Sequence, residues 1–346
     1  MKTYKIRIKP LSSFGTPLKG DTLFGHICWQ AAYREGLFGS SIEALLDDYA
    51  LNPFLIISSA YPISYEGSNS LYMLKRPDLP LDNLFDYSGM ERNSVIGERK
   101  RLKAKRWMPV KEAQGIKSFK DIKYLSDKEL FEMIRSSVTT DLQKDARKKG
   151  VKSFVADYSQ PHNAINRLTG TTGEGGFAPF AVDQKVYFPQ TELSMFVGIS
   201  DRITISQVED ALTRIGEVGF GKDASTGLGK FEVSDVDEID LKSFGSTEPN
   251  ACYTLSPCVP DKGVFLDSFF SPFIRFGRHG DILAKSKNPF KNPVIMADEG
   301  AIFVPRGKDI FIKPYIGTAV TNISLAEEHK AVMQGYSLYI PVRVEA

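Results

Sequence analysis

Apolar and polar positions along the chain fall into strand-like and helix-like stretches that repeat in one order. Tyr4-Lys5-Ile6-Arg7-Ile8-Lys9 alternates apolar with basic, which predicts a half-buried strand with a positive outer face. Residues 10–17 read as a turn. Leu23, Phe24, Ile27, Cys28 and Ala31 then recur at helical spacing behind Asp21 or Thr22 as cap, with His26, Trp29 and Tyr33 on the other side. A short helix around 42–49 stops at Asn52-Pro53, and a strand follows over 54–58. Leu193–Ile199 predicts a further strand. Ser206 and Glu209 read as a capping box for a helix over 206–218, whose stripe is Val208, Ala211, Leu212 and Ile215. Lys230-Phe231-Glu232-Val233 starts the next strand.

Strand–helix–strand therefore occurs twice, the order of a ferredoxin-like or RNA-recognition-motif fold. Between the middle strands lies an insertion of roughly residues 62–185, too long for a plain loop. Residues 251–346 restart with the alternating Cys252-Tyr253-Thr254-Leu255 and read as mainly β, fitting a second, divergent ferredoxin-like unit. The expected class is α+β, with tandem ferredoxin-like domains over 1–235 and 251–346. The acidic stretch from Asp235 to Asn250 is expected to link them.

The chain has 346 residues and a formal net charge of +2, with 42% hydrophobic residues, so a soluble protein of two ordinary cores is the expectation. No apolar run is long enough to span a bilayer. Lys2, Lys5, Arg7 and Lys9 interrupt the N-terminus and argue against a signal peptide. Cys28, Cys252 and Cys258 show no paired or metal-ligand spacing, which suits a reducing cytoplasm; no cofactor or metal is expected.

Charge is unevenly placed. Residues 92–152 hold 18 Lys or Arg against 8 Asp or Glu, whereas residues 232–248 hold six acids and one lysine. Arg99, Lys100, Arg101, Lys103, Lys105 and Arg106, followed by Trp107, form the densest cationic run, and a second cluster is Lys144, Arg147, Lys148, Lys149 and Lys152. Such a segment in a near-neutral protein is the footprint of a nucleic-acid contact or of a solvated charged insertion.

Between the second long helix and its strand runs Gly219-Phe220-Gly221-Lys222-Asp223-Ala224-Ser225-Thr226-Gly227-Leu228-Gly229-Lys230. Glycines at this density bring bare backbone close to an anion, or simply build a surface turn. The order helix, loop, strand excludes a P-loop or dinucleotide fingerprint, in which the loop opens a helix. The Walker spacing also fails, because its first glycine falls on Ala224 and Phe231 follows Gly229-Lys230.

A first helix entered through Pro17-Leu18-Lys19-Gly20-Asp21-Thr22-Leu23-Phe24-Gly25-His26, together with this glycine loop, resembles the RAMP proteins of CRISPR systems. Those are tandem ferredoxin-like RNA binders. His162-Asn163-Ala164-Ile165-Asn166-Arg167-Leu168-Thr169-Gly170, Lys291-Asn292-Pro293-Val294-Ile295-Met296, His329 and Gly335-Tyr336-Ser337-Leu338 narrow the likeness. Together they are similar to the RAMP subunits that cap the CRISPR RNA 5′ end in type III-A (Csm) effector complexes. The resemblance implies a non-catalytic RNA binder that grips the repeat-derived 5′ handle. The implied partners are the large signature subunit and an adjacent RAMP backbone subunit, with no membrane role. Lys222 would neutralise phosphate, Ser225 and Thr226 would supply hydroxyls, and Gly219, Gly221, Gly227 and Gly229 would admit backbone N–H groups. Lys19 and Gly20 would add a cation and an exposed amide at the first helix. Asn163, Asn166 and Arg167 would read base edges or clamp the backbone. Residues 92–152 would form a thumb-like element along the guide, with Trp107 a candidate for stacking.

Some RAMP relatives cleave precursor RNA, so His26 is the residue to weigh as a general acid or base of an endoribonuclease. The competing reading is a polar residue that packs on the insertion or touches RNA. No second proton-transfer group is evident. Asp21 is most simply a helix cap, Asp223 is a lone acid, and His279 and His329 carry no assigned chemistry.

Overall fold

The structure is a computed structural model and describes residues 1–345 other than 68, 88, 113, 174 and 326–330. Strand β1 (Lys2–Pro10) leads through the 10–17 turn into α1 (Gly20–Tyr33), α2 (Ile42–Asp47) and β2 (Leu55–Ile57). After a three-residue break the chain rejoins the sheet as β3 (Tyr61–Glu66) and returns as β4 (Asn69–Lys75). Next come α3 (Leu81–Leu84), α4 (Arg92–Lys103), β5 (Lys105–Lys111), β6 (Leu125–Ser126), α5 (Asp127–Ser137) and α6 (Thr140–Lys148). A separate hairpin of β7 (Val155–His162) and β8 (Phe180–Tyr187) precedes β9 (Leu193–Ile199), α7 (Ile205–Val218) and β10 (Phe231–Glu238).

Four strands lie in the order β10-β1-β9-β2, every neighbouring pair antiparallel. With α1 and α7 packed together, this is the split βαβ arrangement expected from the periodicity. Every residue of β9 is buried, as befits a strand covered on both faces. The stripes are where the pattern placed them: Leu23, Phe24 and Ile27 of α1 share one core with Val208, Leu212 and Ile215 of α7 and with Ile6 and Ile8 of β1. The insertion is partly an extension of the same sheet. β2 pairs with β9 at Leu55↔Ile199 and β3 pairs with it at Tyr61↔Ser194, after which the sheet continues β3-β4-β5-β6. Leu130, Phe131 and Ile134 of α5 form a satellite core with Leu71, Met73 and Phe154.

The C-terminal part supplies β11 (Ala251–Thr254), β12 (Phe265–Phe269), β13 (Pro272–Arg275), β14 (Val294–Ala297), β15 (Ile302–Pro305), β16 (Tyr315–Gly317) and β17 (Tyr336–Val342). Five of them form the antiparallel sheet β12-β15-β11-β17-β16, while β13 and β14 pair as a hairpin. Among its described residues, helical turns are short and of the 3-10 kind. Tyr253, Leu338 and Ile340 belong to the same core as Ile6 and Phe24, so the two parts share their interior. Gln334 stitches them, accepting from the Ile57 N–H at 2.9 Å and donating to the Ile57 carbonyl at 2.7 Å.

Three local expectations are corrected. The capping box of α7 is Thr204 with Gln207, two residues before Ser206 and Glu209; Thr204 accepts from Gln207 N–H while the Gln207 side chain accepts from Thr204 N–H at 2.7 Å. The outer face of β1 is not positive, since Lys5 pairs with Glu112 and Asp237, Arg7 with Asp235, and Lys9 with Glu192. Asp235 and Asp237 thus belong to β10 rather than to a linker, and beyond it Leu241 and Phe244 are buried in the shared core.

Candidate nucleic-acid interface

The glycine loop is built against the 10–17 turn and α1. Phe220 is fully buried and anchors it, with the His26 ring 4.6 Å away. Gly221 N–H donates to His26 Nε2 at 3.2 Å, Lys222 N–H to Thr16 Oγ1 at 2.9 Å, and Gly229 N–H to the Ser13 carbonyl at 2.7 Å. Gly221 holds φ +78, and a Cβ there would meet Thr16 Cβ at 2.5 Å, so both backbone and space demand glycine. The expectation that the four glycines present amides to an anion is corrected: Gly219 N–H goes to the Ile215 carbonyl at 2.7 Å and Gly227 N–H to the Ala224 carbonyl at 3.0 Å, so with Gly221 and Gly229 all four are spent on the fold. What faces solvent is Lys222, its side chain 60% exposed, with Ser225 and Thr226 beside it. The Thr226 hydroxyl donates to the Asp223 carbonyl at 2.8 Å, and its oxygen keeps lone pairs for an outside donor.

His26 has a structural task that neither sequence reading named. Its Nε2 accepts a backbone hydrogen bond, which requires the unprotonated nitrogen, and burial lowers its pKa from 6.5 to about 4. Proton transfer to RNA through Nε2 would have to break the bond that seats the loop.

The entrance to α1 is closed, which corrects the roles expected of Lys19 and Gly20. Lys19 Nζ contacts Asp298 and lies 2.8 Å from a Glu299 oxygen. Burial raises the pKa of Glu299, while Lys19 counteracts that rise. Gly20 is buried, its N–H directed at Ser59 Oγ at 3.4 Å, and a Cβ there would lie 2.2 Å from the Ile57 carbonyl. Asp21 is not a cap; its carboxylate receives Arg275 Nε at 2.5 Å and Nη2 at 2.9 Å.

The basic run is partly neutralised. Arg99 pairs with Asp82 at 2.9 Å, Arg101 with Glu98, Lys105 with Glu129 at 2.6 Å, and Arg106 approaches Asp127 at 3.9 Å. Hydrogen bonds from Lys105 and Ser126 overcome the burial of Glu129 and hold its carboxyl at about 2. Lys100 and Lys103 are exposed on α4, and Arg106 is 71% exposed on β5. Trp107 is no free stacking platform: its Nε1 donates to Asp127 at 2.7 Å and its ring packs edge-on to Phe154.

Asn163, Asn166 and Arg167 lie in the connection beyond β7, where Asn166 Oδ1 accepts from Leu168 N–H at 2.9 Å and Arg167 is exposed. The sequence reading missed the β7–β8 hairpin itself, a two-stranded sheet of its own. Alternation over Phe180–Tyr187 was the available signal. The hairpin is tied to the glycine loop through the 10–17 turn: Phe14 N–H donates to the Lys185 carbonyl at 2.9 Å, Lys185 N–H returns to Phe14 at 2.8 Å, and Ser13 bonds Gln184. At its foot a cleft of about 320 Å³ is lined by Arg106, Trp107, Phe154, Lys185 and Tyr187. Thus the turn, the glycine loop, the hairpin foot and the outer end of the basic run meet in one region. His279 is buried and bonds Ser324 at 3.0 Å; His329 lies outside the described residues.

No helix among the described residues is long and apolar enough to cross a membrane. Among curated proteins none matches this chain. A chain of the Csm1-Csm4 cassette crystallised with pppApA shares its fold, with a TM-score of 0.57 and 15% identity over 100% of this chain and 99% of that one. A chain of the Csm3-Csm4 subcomplex of the type III-A CRISPR-Cas interference complex is similar at a TM-score of 0.54 and 12% identity, covering 99% of each. The family model of the RAMP superfamily matches residues 12–232, a span that runs from the turn through the glycine loop into β10. The chain belongs to the RAMP superfamily.

Proposed function

We propose that this protein is a non-catalytic RNA-binding subunit of a type III-A CRISPR effector complex. It grips the repeat-derived 5′ handle of the CRISPR RNA and joins the large signature subunit to an adjacent RAMP backbone subunit. The observation that carries the reading is the seat of the glycine loop. Its amides are spent on the 10–17 turn, on His26, on α7 and within the loop, and this base leaves Lys222, Ser225 and Thr226 exposed. Such an arrangement suits a single-stranded phosphate backbone, which needs a fixed cation and a hydroxyl donor, here Lys222 and Ser225, more than a deep pocket; the Thr226 hydroxyl is engaged with the Asp223 carbonyl.

Arg106, Lys100 and Lys103 extend the cationic surface, and the β7–β8 hairpin with Asn163, Asn166 and Arg167 takes the thumb-like role that the sequence suggested for residues 92–152. The latter segment is instead folded into sheet edge and helices. His26 serves the loop rather than a reaction, so the handle stays intact. The test is binding of labelled handle RNA to the purified protein, with a scrambled RNA of equal length as competitor. Preferential retention of uncut handle is expected; metal-independent cutting abolished by His26→Ala would overturn the reading.

A further inference from the structure

The β13–β14 hairpin has two unlike faces. Phe273 and Arg275 turn toward α1. Arg275 grips the buried Asp21, and the Phe273 ring lies 5.1 Å from both Lys19 Nζ and the Arg275 guanidinium. Past the strand end the backbone stays on α1, for a Cβ on Gly280 would lie 2.9 Å from Trp29 Nε1. The other face looks outward. Ile274 and Ile295 are register partners, 52% and 68% exposed, and they are followed by Phe276 at 73% and Phe290 at 58%. Arg278 is bridged to Phe290 and holds its guanidinium 5.9 Å from that ring.

A hairpin with one solvated face ordinarily shows its polar residues outward. Here the charged residue is turned in, and branched and aromatic residues are turned out as one patch. Residues 270–297 contain five Lys or Arg and one acid. Of those cations Arg275 is already paired with Asp21, whereas Lys285 and Lys287, in the segment between Arg278 and Phe290, are exposed.

We infer that this face docks a partner protein whose surface offers an apolar hollow rimmed by carboxylates. On the function proposed above, which this inference rests on, that partner is the large signature subunit. Protein is favoured over RNA by the layout of the patch. It holds a facing isoleucine pair with no π-face for a base, phenylalanines and an arginine follow that pair along the hairpin, and the exposed Lys285 and Lys287 are confined to the segment between Arg278 and Phe290. That is the anatomy of a protein interface, with an apolar core, aromatic and arginine anchors and a charged rim. The Asp21–Arg275 anchor holds the face in place before binding, so little ordering cost falls on association.

The test measures two affinities on the same preparations: for the purified large subunit and for handle RNA. Ile274→Asp combined with Phe276→Asp changes only exposed side chains and is expected to weaken the large subunit at least tenfold while leaving handle affinity within twofold. A photo-cross-linker replacing Phe290 in the otherwise wild-type chain guards against misfolding of that variant and is expected to label the large subunit. Unchanged large-subunit affinity, or labelling of RNA in place of protein, overturns the inference. A loss of handle affinity with the large subunit still bound makes the face an RNA platform and overturns it as well. Failure of the wild type to retain handle RNA is a separate result: it removes the proposed function and is read in the arm without the hairpin variant.

Discussion

His26 Nε2 accepts the backbone N–H of Gly221 at 3.2 Å, so a helix side chain and a loop amide from opposite ends of the first unit hold each other. Protonation of that nitrogen removes the acceptor. Because burial lowers the folded-state pKa to about 4 from 6.5, the neutral ring's contribution is complete above pH 6.5 and is lost as the pH falls toward 4. Within that window stability should drop by about 1.4 kcal/mol per pH unit from this residue. Thermal unfolding of wild type and His26→Ala between pH 7 and 4 checks this, and the variant's curve should be flatter.

Lys222→Ala tests the phosphate grip. Its side chain is exposed and its nearest charged neighbour is Asp223 at 3.9 Å, so folding should be unchanged. Handle affinity should fall, and the slope of log affinity against log salt should become shallower by about 0.7, one phosphate contact on a single strand. Titrations at four salt concentrations measure both.

Lys19→Ala should behave in the opposite manner. Its ammonium compensates Asp298 and Glu299; with Lys75 still 3.2 Å from Asp298, its removal leaves the half-buried Glu299 without Lys19 beside a second carboxylate. We expect a lower melting temperature with the salt slope of handle binding unchanged. A shallower slope, with stability intact, would restore Lys19 as a phosphate contact.

Gly20→Ala should be among the most damaging single changes in the chain. The added methyl would lie 2.2 Å from the Ile57 carbonyl and 2.8 Å from Ser256 Cβ, so backbone of β2 must move. A loss of about 3 kcal/mol is expected from overpacking of this kind. Gly97→Ala, inside α4 where an added Cβ meets nothing within 4 Å, is the matched control and should stabilise by up to about 1 kcal/mol in denaturant unfolding.

Breaking the Asp21–Arg275 pair should release the C-terminal hairpin from α1. The Asp21 side chain is 2% exposed, so Arg275→Ala leaves a buried carboxylate uncompensated and should cost about 3 kcal/mol. Hydrogen exchange should rise first in residues 272–297, ahead of β11 and β17.

The repeated strand–helix–strand order, the apolar stripes of α1 and α7 and the position of the glycine loop are properties of the sequence by itself. Each rests on spacing within about 15 residues, which periodicity and turn chemistry report directly. Tertiary structure alone decided which polar groups remain free. Lys19, Lys5 and Lys105 look alike as cations in the sequence, yet carboxylates brought in from Glu299, Asp237 and Glu129 neutralise them, while Lys222 and Arg106 stay exposed. The loop glycines likewise read as open amides until Ser13, Thr16 and His26 come against them. Charge pairing and amide satisfaction depend on what long-range folding places within about 3 Å, and no local pattern carries that information.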